Sequence, residues 1–370
     1  MSAAEKSDII IGADKKLRKS RYMRRFAMII AEHGGDTFDL DILYDFSANL
    51  NPLGMPQGVK NALENSVSAW EKYPDPYCRR LTKKLSEHEN FPAENIVCGN
   101  GAADLIFRIV QAAKPKKAVI CAPSFGEYAK ALEQCGCEIS AYPLSEEKGF
   151  ALDSDINAFL DKSVDMLILC TPNNPTGQTV ESGLLRDICR KCEEENIIFL
   201  CDECFIDFAV NVTGAERYMN KNIVILKAFT KIYAMAGLRL GYALFGDGAF
   251  AEMVRGTGQF WSVSAPAQTA GEAALDEKEY ITKAAELIKN EREYLSENLL
   301  RLGFKVYPSE ANFILFYSGL PIDKMLLREN ILIRNCENFS GLSRGFFRIA
   351  VRSHEENTTL IAALGRCLNG

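Results

Sequence analysis

Between about residues 95 and 245, short apolar runs alternate with amphipathic stretches. Six runs predict β-strands, and several are apolar throughout, which is typical of strands buried on both faces; they are NIVCG (95–99), KAVICA (117–122), CEISAY (137–142), DMLILC (165–170), NIIFLC (196–201) and NIVILKAF (222–229). Three stretches between them have apolar residues three and four positions apart, which predicts helices; these are 103–114, 127–136 and 184–196. The alternation predicts an α/β fold with a mainly parallel sheet flanked by helices.

The pattern changes after residue 265. A long helical stretch extends to about residue 302, and the tail then alternates short strands and helices, with strand-like runs at FKVYPS (304–309), NFILFY (312–317), ILIRNC (331–336) and FFRIAVR (346–352). This tail predicts a smaller α+β lobe. We therefore expect an N-terminal segment and arm (1–35), a large domain (36–280) and a small C-terminal domain (281–370) packed with part of the N-terminal segment.

Length and composition exclude several classes of protein. The chain has 370 residues, of which 47% are hydrophobic and 25% charged, which excludes wholesale disorder and suits two packed lobes. Its apolar runs are far shorter than the roughly 20 residues that span a bilayer, so we expect no membrane partner. With 43 basic and 49 acidic residues, the net charge of −6 disfavours nucleic acid as a partner, although small anionic ligands are compatible with it.

The N-terminal segment and the cysteines bear on location and metal binding. Seven Lys or Arg lie between Lys15 and Arg25, either on a solvated helix face or on an arm for a membrane surface or nucleic acid. The next apolar stretch, FAMIIA, is too short for a signal-peptide core, and the twelve cysteines favour a reducing compartment, so we expect a cytoplasmic protein. A zinc site formed by two cysteine pairs is disfavoured because one pair lies in a predicted helix, and we expect no metal; the pairs are Cys189/Cys192 and Cys201/Cys204.

Two turns at the ends of predicted strands carry candidate ligand-binding groups. The segment Gly99–Asp104 (GNGAAD) joins a strand directly to a helix, which provides free N–H groups for an anion, although a plain turn would need the same residues. The segment 171–177 (TPNNPTG) places the Asn174 amide at a strand end, where ligands of open α/β sheets bind, or it forms only a rigid turn.

The next two strand ends carry charged side chains. Asp202 follows a buried strand, where a carboxylate needs a positive partner unless it caps a helix. Lys231 lies in apolar surroundings that lower the pKa of its amine and make it nucleophilic, and Arg239 can bind a phosphate with two hydrogen bonds. Together these groups form the set that a pyridoxal phosphate pocket needs.

The motifs NPTG, DE, TK and GLRLGY, in this order and spacing, resemble the fold type I pyridoxal-phosphate aminotransferases of classes I and II, from about His33 to the C-terminus. The resemblance implies a large cofactor-binding domain with a seven-stranded sheet. It implies catalytic roles for Lys231, which forms the Schiff base with the cofactor, Asp202, which pairs with the ring nitrogen, and Asn174, which hydrogen-bonds the ring hydroxyl. Further cofactor-binding positions that it implies hold the phosphate or the ring: Gly101, Ala102, Phe125, Phe205, Thr230 and Arg239.

The resemblance also implies a homodimer, in which Tyr73 reaches the cofactor phosphate of the neighbouring subunit. Two positions depart from the family pattern. Phe205 stands where many members have Tyr, and Ala228 stands where many have Ser or Thr, so one contact to the ring hydroxyl and one to the phosphate are missing.

Within the family, the chain resembles the branch that contains histidinol-phosphate aminotransferases and the cobalamin-pathway L-threonine-O-3-phosphate decarboxylases. The segments HGG (33–35), DFSANLNPLG (45–54) and LIRNCENF (332–339) resemble the decarboxylases, although HGG also suits a plain turn. This resemblance implies a small phosphorylated amino acid as substrate, with a distal phosphate held by His33 and Arg334 and the carboxylate held by Arg348. Gly34 and Asn51 complete the predicted substrate-binding residues.

Three functions follow as hypotheses. The first is decarboxylation of L-threonine O-3-phosphate, with L-serine O-phosphate as a variant that differs by one methyl group. The second is transamination of histidinol phosphate or a related substrate. The third is a catalytically idle protein with this fold that serves as a binding or regulatory module, which would be expected to lack Lys231 or Asp202.

Overall fold

The computed structural model describes residues 33–38 and 40–369, so the basic cluster Lys15–Arg25 lies outside the described residues. Its strands, numbered along the chain, are β1 (Tyr44–Asp45), β2 (Ile96–Gly99), β3 (Lys117–Ala122), β4 (Glu138–Pro143), β5 (Met166–Cys170), β6 (Ile198–Asp202), β7 (Ile223–Ala228), β8 (Gly241–Phe245), β9 (Lys305–Val306), β10 (Phe313–Tyr317), β11 (Ile331–Leu332), β12 (Arg334–Asn335) and β13 (Phe346–Ala350). Its helices are α1 (Gln57–Ser66), α2 (Arg79–Glu89), α3 (Gly101–Ala113), α4 (Gly126–Gln134), α5 (Ser182–Glu194), α6 (Phe229–Ile232), α7 (Gly248–Arg255), α8 (Ala265–Ala274), α9 (Tyr280–Arg301), α10 (Ile322–Leu327) and α11 (His354–Asn369).

The large sheet has seven strands in the order β2-β8-β7-β6-β5-β3-β4. All strands point the same way except β8, which is antiparallel to both of its neighbours. The prediction of a mainly parallel seven-stranded sheet is confirmed. The six predicted runs form β2 to β7, and every residue of β5 is buried, as its continuous apolar sequence indicates.

The helices cover this sheet with apolar faces. In α5, Leu185, Ile188, Cys189 and Cys192 are buried, which is the three-and-four spacing that the sequence shows. The helix α3 packs against β7, β8 and α4. The three predicted helices therefore exist, as α3, α4 and α5.

The long helical stretch after residue 265 forms two helices, α8 and α9, with a turn at 275–279. Acidic side chains of this turn bind other parts of the chain. Asp276 forms an ion pair with Lys84 at 2.6 Å, and a carboxylate oxygen of Glu277 accepts a hydrogen bond from the Gly58 amide at 3.2 Å. These long-range contacts stabilise the break between α8 and α9, which the helical periodicity of the sequence does not predict.

The C-terminal part forms a four-stranded antiparallel sheet in the order β12-β13-β10-β9. The strand β1 pairs in parallel with β11, and the Ala350 amide donates to the Phe46 carbonyl at 2.8 Å. The segment before residue 51 therefore contacts this C-terminal part. The division at residues 280 and 281 stays a prediction, and α9 begins at that point.

Two features of the described residues bear on metal and membrane binding. They include no group of three or more His, Cys, Asp or Glu that could hold a metal ion, and the four cysteines of the zinc hypothesis are buried in or beside α5 and β6. Over the same part of the chain, no helix is both long and apolar enough to cross a membrane.

The topology brings several loops to one edge of the large sheet. The strands β2, β3, β5, β6 and β7 all end there because they run in the same direction, and β8 begins there because it runs in the opposite direction. Loops at the carboxyl ends of parallel strands form ligand sites in open α/β sheets.

Candidate active site

A cavity of about 230 Å³ opens at this edge, between the large sheet and the C-terminal sheet. Most of the predicted site residues line it: His33, Gly34, Ala102, Phe125, Asn174, Asp202, Phe205, Thr230, Lys231, Arg239, Arg334 and Arg348. The fold thus brings together residues that are up to 315 positions apart in the sequence, from His33 to Arg348.

The turn between β2 and α3 faces Arg239. Gly101 has a φ of +82°, and a Cβ atom at this position would lie 2.6 Å from Nη2 of Arg239, so glycine leaves space beside the guanidinium. The first-turn N–H groups of α3 point out of the helix, because they have no acceptor within it. Gly101 itself does not line the cavity, but its neighbour Ala102 does. Helix N–H groups together with a guanidinium suit a phosphate group.

Asp202 lies at the end of β6 with both carboxylate oxygens hydrogen-bonded. Oδ1 accepts from the Cys204 amide at 2.9 Å, and Oδ2 accepts from the Tyr128 hydroxyl at 2.6 Å. Burial raises the pKa of Asp202, while the hydrogen bonds and the nearby Lys231 act in the opposite direction. The alternative of a helix N-cap is not supported, because the next helical turn begins at Ile206 and its N-cap residue is Phe205.

Lys231 lies in α6, directly after β7, and its Nζ is 6.0 Å from the centre of the Phe205 ring. Burial is the main cause that lowers its pKa to about 8, and the positive charges of Arg348 and Arg239 add to the effect. Asn51 fixes the backbone here: its Nδ2 donates to the Ile232 carbonyl at 2.7 Å, and its amide donates to the Lys231 carbonyl at 3.2 Å.

The lowered pKa of Lys231 gives a pH prediction. Only the unprotonated amine attacks a carbonyl, so covalent incorporation of pyridoxal phosphate into the apoenzyme should become faster as pH rises, with a midpoint near pH 8. Rapid-mixing absorbance measurements across pH 6 to 10 test this, with ionic strength held constant. Arg348→Gln should move the midpoint upwards, because it removes a positive charge next to the amine. A midpoint near 10.5, the ordinary value for lysine, would contradict this description of the site.

Two adjacent asparagines of the NPTG turn have different surroundings. Asn173 holds the turn together, since its Nδ2 donates to the Pro123 carbonyl at 3.0 Å and to Oγ1 of Thr176 at 2.9 Å. Asn174 lines the cavity, where its Oδ1 accepts a hydrogen bond from Nη1 of Arg348. The segment is therefore a rigid turn that also presents an amide to the cavity.

Arg348 and Arg334 enter the cavity from the C-terminal sheet. Nη2 of Arg348 donates to the Ser47 carbonyl at 2.8 Å, while its Nε is buried and has no hydrogen-bond partner. Burial lowers the pKa of Arg348 to about 10. Arg334 donates to Oδ1 of Asn338 at 2.7 Å and lies 5.1 Å from the centre of the Phe339 ring.

His33 and Gly34 also line the cavity. Nε2 of His33 is 2.9 Å from Oε1 of Glu127, and its ring is 5.6 Å from the ring of Phe125. A Cβ atom on Gly34 would lie 2.1 Å from the Ser47 carbonyl oxygen, so this position excludes a side chain. The HGG segment thus combines a close approach of its backbone to Ser47 with an imidazole at the cavity.

Besides Gly101, two further predicted residues, Asn51 and Tyr73, do not line this cavity. Asn51 uses its side chain for the contacts with Ile232 and, through Oδ1, with the Leu53 amide at 3.0 Å. Tyr73 is 80% exposed and stacks on Trp261 at 4.5 Å, which leaves it available to a second subunit. Conversely, the sequence did not identify Tyr128 and Glu127 as site residues, because the pattern of α4 indicates only a helix packed against the sheet.

The cavity fits pyridoxal phosphate. Gly101, Ala102 and Arg239 provide N–H donors and a guanidinium for the cofactor phosphate. Lys231 provides an amine for the aldehyde, and Asp202 provides a buried carboxylate for the ring nitrogen. Phe125 supplies an aromatic face at the same cavity. Phe205 and Ala228, the two departures from the family pattern, do not affect any of these groups.

A comparison with known families decides the membership. The family model described as aminotransferase class I and II matches residues 41–364. The chain belongs to this family. It is therefore a pyridoxal phosphate-dependent enzyme, and its fold is the one that the sequence resemblance implies.

Individual members of the family are similar over nearly the whole chain. A threonine-phosphate decarboxylase of Salmonella typhimurium is 39% identical over 93% of this chain and 98% of its own length. Among solved structures, a histidinol-phosphate aminotransferase from Clostridium acetobutylicum has a TM-score of 0.83 and 29% identity, covering 88% of this chain and 99% of its own. An L-threonine-O-3-phosphate decarboxylase from Porphyromonas gingivalis has a TM-score of 0.80 and 26% identity, covering 89% and 100%.

Proposed function

We propose that this enzyme decarboxylates L-threonine O-3-phosphate, giving carbon dioxide and (R)-1-amino-2-propanol O-2-phosphate for the nucleotide loop of a cobamide. The charge of the cavity carries the proposal. Three guanidinium groups and one lysine line it, and Asp202 is the one carboxylate among its described lining residues. A cofactor phosphate, a substrate carboxylate and a substrate phosphate are three anions, one for each arginine.

In this proposal, each of the three arginines binds a different anion. Arg239 binds the cofactor phosphate, because it lies beside the turn at Gly101. Arg348 binds the substrate carboxylate, because it also contacts Asn174, the residue predicted to hold the cofactor ring. Arg334 and His33, which also line the cavity, bind the distal phosphate.

The anchoring of the two anions determines which bond of the substrate breaks. The cofactor, when bound, supplies an electron sink for the electron pair of that bond. Arg334 and His33 hold one end of the substrate, and Arg348 holds the other, so the rotation about the Cα–N bond is fixed by binding energy remote from the reacting atoms. After the carboxylate leaves as carbon dioxide, Lys231 or a water delivers a proton to Cα in its place.

Transamination of histidinol phosphate is the second candidate. The similarity to the Clostridium acetobutylicum aminotransferase favours it, since its TM-score is slightly the higher of the two. Here Lys231 would take a proton from Cα instead of delivering one. The idle-protein hypothesis is not supported, because the chain retains both Lys231 and Asp202 and belongs to an enzyme family.

Product analysis distinguishes the candidates. The purified holoenzyme should release carbon dioxide from L-threonine O-3-phosphate without any 2-oxo acid, and the organic product should match synthetic (R)-1-amino-2-propanol O-2-phosphate. L-serine O-phosphate should also react, but more slowly, because it lacks one methyl group. A methyl group contributes about 1–3 kcal/mol of discrimination. Consumption of 2-oxoglutarate with histidinol phosphate, without release of carbon dioxide, would instead support the aminotransferase.

We also propose that the enzyme works as a cytoplasmic homodimer. Tyr73 and Trp261 form an exposed aromatic pair, and Phe260 packs edge-on against Trp261 at 5.0 Å. Exposed aromatic clusters of this kind are typical of protein interfaces. All twelve cysteines are free, as expected in a reducing compartment. Sedimentation of the active enzyme as a single 41.2 kDa chain would contradict the dimer.

A further inference from the structure

Tyr128 is a buried tyrosine in the first turn of α4, and its hydroxyl donates to Oδ2 of Asp202 at 2.6 Å. Its ring is completely buried and packs edge-on against Phe125, with centroids 5.6 Å apart and an interplanar angle of 84°. The Tyr128 amide also donates to the Phe125 carbonyl at 3.3 Å. One short segment therefore positions both the aromatic face at the cavity and the donor to the carboxylate.

Asp202 needs such donors because it is buried. Burial favours its neutral form and raises its pKa, and the donors from Tyr128 and Cys204 favour the charged form. Burial and the charge of Asp202 also raise the pKa of Tyr128 well above its ordinary value, so the phenol stays protonated and always donates. The thiols of Cys170, Cys201 and Cys204 and the amine of Lys231 are the other titratable groups near the carboxylate.

We propose that Tyr128 is a positioning residue that acts through Asp202: it keeps this carboxylate ionised and directed at the ring nitrogen of the bound cofactor. The Cys204 amide fixes one oxygen, and the Tyr128 hydroxyl fixes the other, so the carboxylate cannot rotate without breaking a charge-assisted hydrogen bond. The role concerns the cofactor alone. It therefore holds for decarboxylation and transamination alike, and its test does not depend on the substrate.

Removing the Tyr128 hydroxyl tests the proposal. In Tyr128→Phe holoenzyme, we expect the dissociation constant for pyridoxal phosphate to rise by about tenfold, as the loss of one hydrogen bond to a charged group predicts. With ¹⁵N-labelled cofactor, the NMR shift of the ring nitrogen should move toward that of the unprotonated ring. Tyr142→Phe is the matched control, because Tyr142 also donates to a carboxylate, that of Asp155, but lies outside the cavity.

A double-mutant cycle separates this role from packing. In an Asp202→Asn background the charged partner is absent, so adding Tyr128→Phe should change the dissociation constant by less than about threefold. An equal loss in both backgrounds would show that Tyr128 acts only by packing and would overturn the proposal. An unchanged dissociation constant and ring-nitrogen signal in the single Tyr128→Phe variant would overturn it as well.

Discussion

Replacing Lys231 with alanine should reduce turnover by at least about 1,000-fold, the largest effect expected for any single residue. The amine is the group predicted to attach the cofactor and to move the proton at Cα. Among the described residues that line the cavity there is no second lysine that could replace it. Borohydride reduction followed by peptide mass spectrometry should find the cofactor on Lys231 in the native enzyme and on no peptide of the variant.

Two further variants make this prediction specific. Lys231→Arg should be as inactive as Lys231→Ala, because a guanidinium keeps the positive charge but stays protonated and forms no Schiff base. Lys221→Ala removes an exposed lysine at the start of the same region and should keep full activity. A covalent adduct on a different lysine, or full turnover in Lys231→Ala, would contradict the site described here.

The central part of the site could be predicted from the sequence because it depends on local motifs. Asn174, Asp202 and Lys231 each follow a buried apolar run, and parallel strands bring such positions to one edge of a sheet. Because the strands are parallel, residues that are far apart in the sequence come close together at this edge. The strand β8 was not predicted as a separate run, although its antiparallel direction is what brings Arg239 to the same edge.

The contacts between distant segments could not be predicted in this way. Tyr128 lies 74 positions before Asp202, and its place in an amphipathic helix indicates only that it is buried. Asn51 was expected at the substrate, whereas its side chain supports the backbone of α6, 181 positions further along the chain. Such hydrogen bonds depend on side-chain direction and on how helices pack, and neither leaves a periodic signal in the sequence.

The arrangement of cations suggests how the substrate is aligned. Arg348 contacts Asn174, which extends from the large sheet, whereas Arg334 contacts Asn338 and Phe339 within the C-terminal part. The two arginines are directly paired residues of β12 and β13, and the charge of Arg334 helps to lower the pKa of Arg348, but their guanidinium groups have different hydrogen-bond partners. Burial is the main cause that lowers the pKa of both. Because desolvated cations bind anions strongly, the two sites should discriminate between ligands by where their anionic groups lie.

If the proposed function is right, Arg334→Gln should raise the dissociation constant for the proposed product, (R)-1-amino-2-propanol O-2-phosphate, by about 100-fold, since it would remove two charge-assisted hydrogen bonds to the phosphate. This ligand has a phosphate and no carboxylate, so Arg348→Gln should change its binding by less than about threefold. With L-threonine, which has a carboxylate and no phosphate, the order should be reversed: Arg348→Gln should weaken binding, and Arg334→Gln should leave it nearly unchanged.

Calorimetric titration of the holoenzyme variants measures these four affinities. Arg344→Gln is the control, because Arg344 is an exposed arginine of the C-terminal part that does not line the cavity. If Arg348→Gln weakens product binding and Arg334→Gln does not, then Arg348 binds the phosphate and the two assignments must be exchanged. If both variants weaken both ligands equally, the two arginines act on a single anion, which would exclude the separate anchoring of carboxylate and phosphate on which decarboxylation depends here.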